Sequence, residues 1–203
     1  GMITTNNDEL AEKLRSLRDH GALLSDFQRH HGVKPYLLTD HPYAGYNYRL
    51  TDIQGSIGLT QLGRGKKIIN ERRKIAANYR LHLKPLEFFQ LPYENKDYDH
   101  GYQSFPCIYD LQNINISDIP IINKNRNRFM ENLQKDGVST RPATHAVHML
   151  KYYRTKYGLK PEEYPNAWIA NDCSLSFPLY NGLDENQQNY VIKTIKSNLP
   201  CVE

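Results

Sequence analysis

The segment 51–83 constrains the fold most. It opens Thr51-Asp52-Ile53-Gln54, a threonine cap with a glutamine three residues later, so that each side chain can satisfy a backbone N–H that the first helical turn leaves without a partner. The helix so launched runs through Ile57 and Leu62. Then Ile68, Arg72, Ile75, Tyr79 and Leu83 fall at steps of three and four. The pattern predicts one helix through Leu62 and a second directly after it, with the second presenting a mostly apolar stripe to a core. The rest of the chain must cover that stripe.

Upstream, Met2-Ile3-Thr4-Thr5 reads as a β-branched strand, and Asn6-Asn7-Asp8 as the turn and cap of a helix carrying Leu10, Leu14 and Leu17. Residues 21–50 form a loop-like segment rich in proline, glycine, histidine and tyrosine, longer than a plain connector needs to be. Downstream of Pro85 the pattern shifts to short strands and turns. Residues 103–109 read as a strand that Pro106 demotes to an edge or bulge position. Residues 112–127 read as a loop insertion, 124–136 as a helix closed by Gly137, 138–141 as a short strand, and 166–175 as a helix. A last helix starts at Asp184 in an Asp-x-x-Gln box and places Val191, Ile195 and Leu199 inward. The whole is an α/β protein.

Composition excludes several classes. With 39% hydrophobic and 24% charged residues the chain suits a globular protein, and no apolar run approaches the ~20 residues that span a bilayer. No membrane association is expected, and the location expected is cytoplasmic. The cysteines Cys107, Cys173 and Cys201 are odd in number and widely spaced, which suits reduced thiols better than a disulfide framework. Net charge is +4, and the densest basic stretch, 64–74, lacks interleaved aromatics, so nucleic acid is not expected as a partner.

Five segments together resemble a known family. Gly45-Tyr46-Asn47-Tyr48-Arg49-Leu50-Thr51-Asp52-Ile53-Gln54 is similar to the signature found after the cofactor lysine in DegT/DnrJ/StrS sugar aminotransferases. Leu17-Arg18-Asp19-His20-Gly21-Ala22, Tyr102-Gln103-Ser104-Phe105, Thr140-Arg141-Pro142 with the following Ala143 to His148, and Ser174-Leu175-Ser176-Phe177-Pro178-Leu179-Tyr180 resemble further family segments in family order. The resemblance implies the C-terminal part of a fold-type I aminotransferase. Residues 1–86 would be the end of the large cofactor domain with its dimer-interface loop and helices, and 87–203 a small α+β domain. It also implies pyridoxal phosphate as cofactor of the full-length enzyme, a keto-sugar nucleotide and an amino donor as partners, and a homodimer.

The resemblance places the lysine that holds the cofactor upstream of Met2. Lys13 does not match it, so no catalytic residue is assigned and this chain alone is not expected to bind the cofactor. Three functions stay open: half of an aminotransferase, a self-associating or partner-binding fragment, and a sugar dehydratase of the same fold in which histidine replaces the lysine.

By the resemblance, Asn47 reaches the cofactor phosphate of the neighbouring subunit, where an amide donor suits a dianion. Read alone, it could equally cap a turn in a tyrosine-rich loop. Arg49 could clamp an anion on the cofactor side or simply pair with Asp52. His148 and its neighbour His145 are expected near the substrate, with Arg141 and Tyr153 as further candidates on that edge. The i, i+3 spacing of the two histidines could place both on one helical face, but nothing nearby completes a metal site. Tyr152, Tyr153 and Tyr157 could instead be a packed aromatic face. Gly55-Ser56 and Gly63-Arg64-Gly65 depart from the family's helix-forming choices, each glycine by up to ~1 kcal/mol.

Overall fold

A computed structural model describes residues 1–23, 39–110 and 114–200, in two compact units, 1–63 and 64–203. Residues 24–38 of the long loop, Gln112 and Cys201 lie outside the described residues.

The first unit contains α1 (Asp8–Arg18), whose cap is Asn7: its Oδ1 accepts from the Leu10 N–H at 2.9 Å. Met2-Ile3-Thr4-Thr5 is not a strand. A strand needs a neighbour to take its backbone hydrogen bonds, no described segment pairs with this one, and Met2 and Ile3 are exposed.

The expected pair of helices is a single helix, α2 (Asp52–Leu83), 32 residues long. The capping box forms as expected, with Thr51 N donating to Gln54 Oε1 at 3.1 Å and Gln54 N to Thr51 Oγ1 at 3.3 Å. Gly63-Arg64-Gly65 weakens the helix without ending it, because glycine still supplies its N–H to the ladder and only proline would remove one.

In the second unit, Ile75, Tyr79 and Leu83 of α2 are buried, as their spacing predicts. They face a three-stranded antiparallel sheet in the order β1 (Phe89–Gln90), β2 (Phe105–Tyr109), β3 (Ser174–Phe177). Phe105, Cys107 and Tyr109 alternate into the core, and the rings of Tyr79 and Phe105 meet at 5.2 Å, those of Phe89 and Phe177 at 5.4 Å. Tyr79 keeps its buried hydroxyl satisfied by donating to Pro178 O at 2.8 Å.

Pro106 lies in the central strand, not on an edge strand. It pairs with Ser176, whose backbone N–H and C=O are instead exchanged with Arg141, so the missing proline N–H faces the other side. On that side β1 reaches only as far as Ile108, so the ladder has no rung at Pro106 to lose.

The helix after the asparagine-rich stretch, α3 (Ile119–Lys135), begins five residues before the expected 124, behind a capping box of Asn115 and Asp118 and with Pro120 in its first turn. Ile119, Ile122, Phe129 and Leu133 form its buried face. Residues 138–141 make one bridge, Arg141 to Ser176, and not a strand. Then come α4 (Lys151–Tyr157) and α5 (Pro165–Asp172). α5 ends before Leu175, which belongs to β3: Ser-Leu-Ser-Phe alternates and pairs with β2. The last helix, α6 (Glu185–Asn198), starts in the expected Asp184–Gln187 box and buries Val191 and Ile195.

Candidate functional site

In the first unit, two of the family-like segments are stitched together through their backbones. Tyr46 N donates to Leu17 O at 2.7 Å, His20 N to Tyr46 O at 2.9 Å and Tyr48 N to Arg18 O at 2.8 Å, around an antiparallel bridge between Asp19 and Asn47. Glycine is obligatory on both sides of this contact. Gly21 has φ +77°, and a Cβ there would stand 1.9 Å from Tyr43 O; a Cβ on Gly45 would stand 2.0 Å from Gly21 N.

Side chains alternate along the extended strip. Tyr46 and Tyr48 share one side, where their rings stack at 4.9 Å, and Asn47 points to the other. Asn47 is exposed, and its amide makes no hydrogen bond among the described residues, so its donors are available to a ligand. Arg49 pairs with Asp19, Nη1 to Oδ1 at 2.9 Å, and not with Asp52. That pair closes the same two segments a fourth time. Lys13 sits on α1 with its Nζ 5.4 Å from the centre of the Tyr43 ring.

In the second unit the two histidines part company. His148 lies in a 3-10 turn, Val147–Met149, and is buried, whereas His145 is exposed ahead of it. The spacing that could have put both on one helical face therefore does not. The His148 ring packs 4.9 Å from that of Tyr164, and its Nε2 is buried without a hydrogen-bond partner among the described residues. Arg141 is exposed and folded back on its own segment, Nη1 donating to Thr140 O at 2.9 Å and Ser139 Oγ at 3.3 Å. Tyr153, 38% exposed on α4, meets Tyr152 edge-on at 5.1 Å and stacks on Tyr157 at 6.4 Å, so those tyrosines pack on one another but not into the core.

Sequence reasoning missed Asn171 and Asp172, which hold the His148 turn from α5. Ala146 N donates to Asn171 Oδ1 at 2.9 Å, and Asn171 Nδ2 to Asp172 Oδ1 at 2.6 Å. No motif marks them; their role depends on a turn more than twenty residues earlier in the chain.

A family model for DegT/DnrJ/EryC1/StrS aminotransferases matches residues 1–196. The chain belongs to that family. An uncharacterized protein of Methanocaldococcus jannaschii is 30% identical over 198 residues, 97% of this chain and 48% of that protein. Solved aminotransferase structures share the fold. PseC of Helicobacter pylori, an aminotransferase in pseudoaminic acid biosynthesis, superposes with a TM-score of 0.73 at 18% identity, over 96% of this chain and 47% of its own. The sugar aminotransferase CalS13 of Micromonospora echinospora gives 0.72 at 23% identity, over 95% and 46%. The chain thus spans about half the length of the relatives it matches. Its α/β fold of helices and a small sheet matches about half of each of these aminotransferase chains.

Pyridoxal phosphate is the cofactor of the family, and the residues described here fit one end of it. An exposed amide with free donors, on a strip held by backbone bonds, suits a phosphate. Among the described residues no cluster of three or more His, Cys, Asp or Glu could hold a metal, and no helix is long and apolar enough to cross a membrane.

Proposed function

We propose that this chain supplies one half of a pyridoxal-phosphate aminotransferase that moves an amino group, typically from glutamate, onto a keto-sugar nucleotide. The observation that carries the reading is the glycine-locked strip presenting Asn47, in a chain matched by the family model over 1–196. In this reading 1–86 belongs to the cofactor domain and 87–203 forms the small domain.

When bound, the cofactor supplies the electron sink for the transfer. The chain's own residues bind and orient. Asn47 donates to the cofactor phosphate of a neighbouring subunit. Arg49, held by Asp19 through Nη1, brings a planar guanidinium to the same strip, where it suits an anion. His148 offers Nε2 to a sugar hydroxyl or carboxylate, with His145, Arg141 and Tyr153 lining the approach. Exposed Ile53, Ile57, Leu59 and Leu62 on α2 support self-association as a homodimer, and the buried free thiols of Cys107 and Cys173 support a cytoplasmic setting.

The test is an amino-transfer assay, with glutamate and a keto-sugar nucleotide, on the native polypeptide carrying this chain. Wild type is expected to transfer. Asn47→Ala should raise the pyridoxal phosphate needed for half-maximal rate about ten- to a hundredfold, as for one lost hydrogen bond to a charged group. An unchanged cofactor requirement sinks the role of Asn47, and no transfer from any amino donor sinks the reaction.

A further inference from the structure

His148 stands in a short turn that, read alone, has little to hold it: three residues of 3-10 helix, with no side-chain cap at either end. What holds it comes from α5. Trp168 Nε1 donates to Asp172 Oδ2 at 2.6 Å, Asn171 Nδ2 donates to Asp172 Oδ1 at 2.6 Å, and Asn171 Oδ1 accepts from Ala146 N at 2.9 Å. The order of these bonds is forced. A carboxylate only accepts, so the Asn171 amide must turn its nitrogen to Asp172 and its oxygen to the turn. The end of α5 is itself tied to α3, Asn123 Nδ2 donating to Asp172 O at 2.8 Å. From Ala146 the hold passes to the turn, because Met149 N donates to Ala146 O at 3.0 Å, enclosing His148. The first residue before α5, Tyr164, lays its ring against the imidazole at 4.9 Å.

We infer that Asn171 is a positioning residue for His148, its amide oriented by the Trp168–Asp172 pair. The helix and the residue that precedes it thus hold the histidine twice, through the backbone of its turn and through a tilted ring contact, while Nε2 has no partner among the described residues. Buried polar atoms are ordinarily paired, so a site that keeps one unpaired by fixing everything around it is arranged for a ligand atom. The inference rests on the reading of His148 as a substrate contact only for what that ligand is, a hydroxyl or carboxylate of the sugar substrate.

The experiment exploits the forced order of donors. Asn171→Asp keeps an acceptor for Ala146 N but sets two carboxylates against each other with no proton between them. The double variant Asn171→Asp/Asp172→Asn restores every bond with the roles exchanged: the new amide at 172 accepts from Trp168 and donates to the new carboxylate at 171. His148 is followed in the whole chain by its rate of modification with diethylpyrocarbonate, read by peptide mass, and by its imidazole ¹H–¹³C resonances. The single variant should react about tenfold faster with shifted resonances, the size of effect expected for one lost buried hydrogen bond, and the double variant should return to wild type in both. Trp168→Phe removes one donor without adding charge, and should move His148 in the same direction by a smaller amount; it decides the question if Asn171→Asp does not fold. Wild-type behaviour in Asn171→Asp, or in Trp168→Phe where that variant decides, overturns the inference, as does a double variant that behaves like the single one. In the amino-transfer assay, a moved His148 with an unchanged KM for the sugar nucleotide would leave the positioning intact and remove His148 from substrate binding.

Discussion

Each of the two units owes its order to a different kind of internal contact. The second has an aromatic and aliphatic core, with Tyr79, Leu83, Phe105, Leu133, Leu175 and Ile195 all fully buried. The first has almost no buried side chains among its described residues; there the order comes from backbone hydrogen bonds between 17–20 and 46–48 and from two glycines in contact, and Ile53, Leu59 and Leu62 stand at 76%, 73% and 76% exposure. The lesson is that burial stabilises the second unit, whereas close backbone approach gives the first a shape suited to presenting one side chain.

The largest effect that would test this contrast is in the core. Tyr79→Ala should destabilise the second unit by about 3–5 kcal/mol, through the cavity and the lost hydroxyl bond to Pro178 O, read as a fall in denaturation midpoint. Hydrogen exchange at Tyr46 N and His20 N should stay at its wild-type rate; if those amides lose protection together with the core, the units are one cooperative body and the contrast fails.

Gly45→Ala should do the reverse. Its Cβ meets backbone, which cannot step aside, so about 1–3 kcal/mol of strain falls on the strip. Protection at Tyr46 N and His20 N should vanish while the core melts as in wild type, and retained protection would show that the contact at Gly21 is dispensable.

The alkaline limit belongs to the second unit. Burial, helped by the nearby Asp110 carboxylate, pushes the Tyr109 hydroxyl up to about 12 from its ordinary value of 10, and burial first of all pushes the Cys173 thiol up to about 11. A group raised in the fold stabilises it below its unfolded pKa and loses that contribution as pH climbs to its folded one, so Tyr109 gives way between about pH 10 and 12. Tyr109→Phe, which cannot ionise, should flatten the loss of stability over that window in a pH series of urea melts. The same steep loss in the variant would assign it elsewhere.

The smallest effect is expected at Arg49→Ala. The arginine of the pair with Asp19 is 43% exposed and open to screening by solvent, so stability should fall by less than about 1 kcal/mol, and less again in high salt. A larger loss would mean that the strip depends on this charge pair as much as on its glycines.

The sequence was most legible where structure is local. The caps at Asn7, Thr51 and Asp184 each use a side chain within three residues of its partner, and all three form. The stripe Ile75, Tyr79, Leu83 needed only helical period. Misreadings fall where the deciding partner is distant. Met2 to Thr5 has strand composition and no described neighbour to pair with, Ser174 to Phe177 is too short for its alternation to outweigh the helix before it, and Pro106 is tolerated because β1 stops at Ile108. The same holds at the site. Asn47 carried a family motif, but the glycine pair that shapes its strip spans residues 21 to 45, and Asn171 acts on a turn it meets only in the folded chain.

The bonds between 17–20 and 46–48 have a consequence for how this family can diversify. They form a neck: whatever chain runs between Gly21 and Tyr43 leaves and returns at a fixed point. Lengthening that stretch costs only the slowly growing entropy of closing a larger ring, about 0.6 kcal/mol for each doubling, and leaves Asn47 where it is. Insertions and deletions there are therefore nearly neutral for the contact proposed for Asn47, so the stretch can change in length without disturbing the strip.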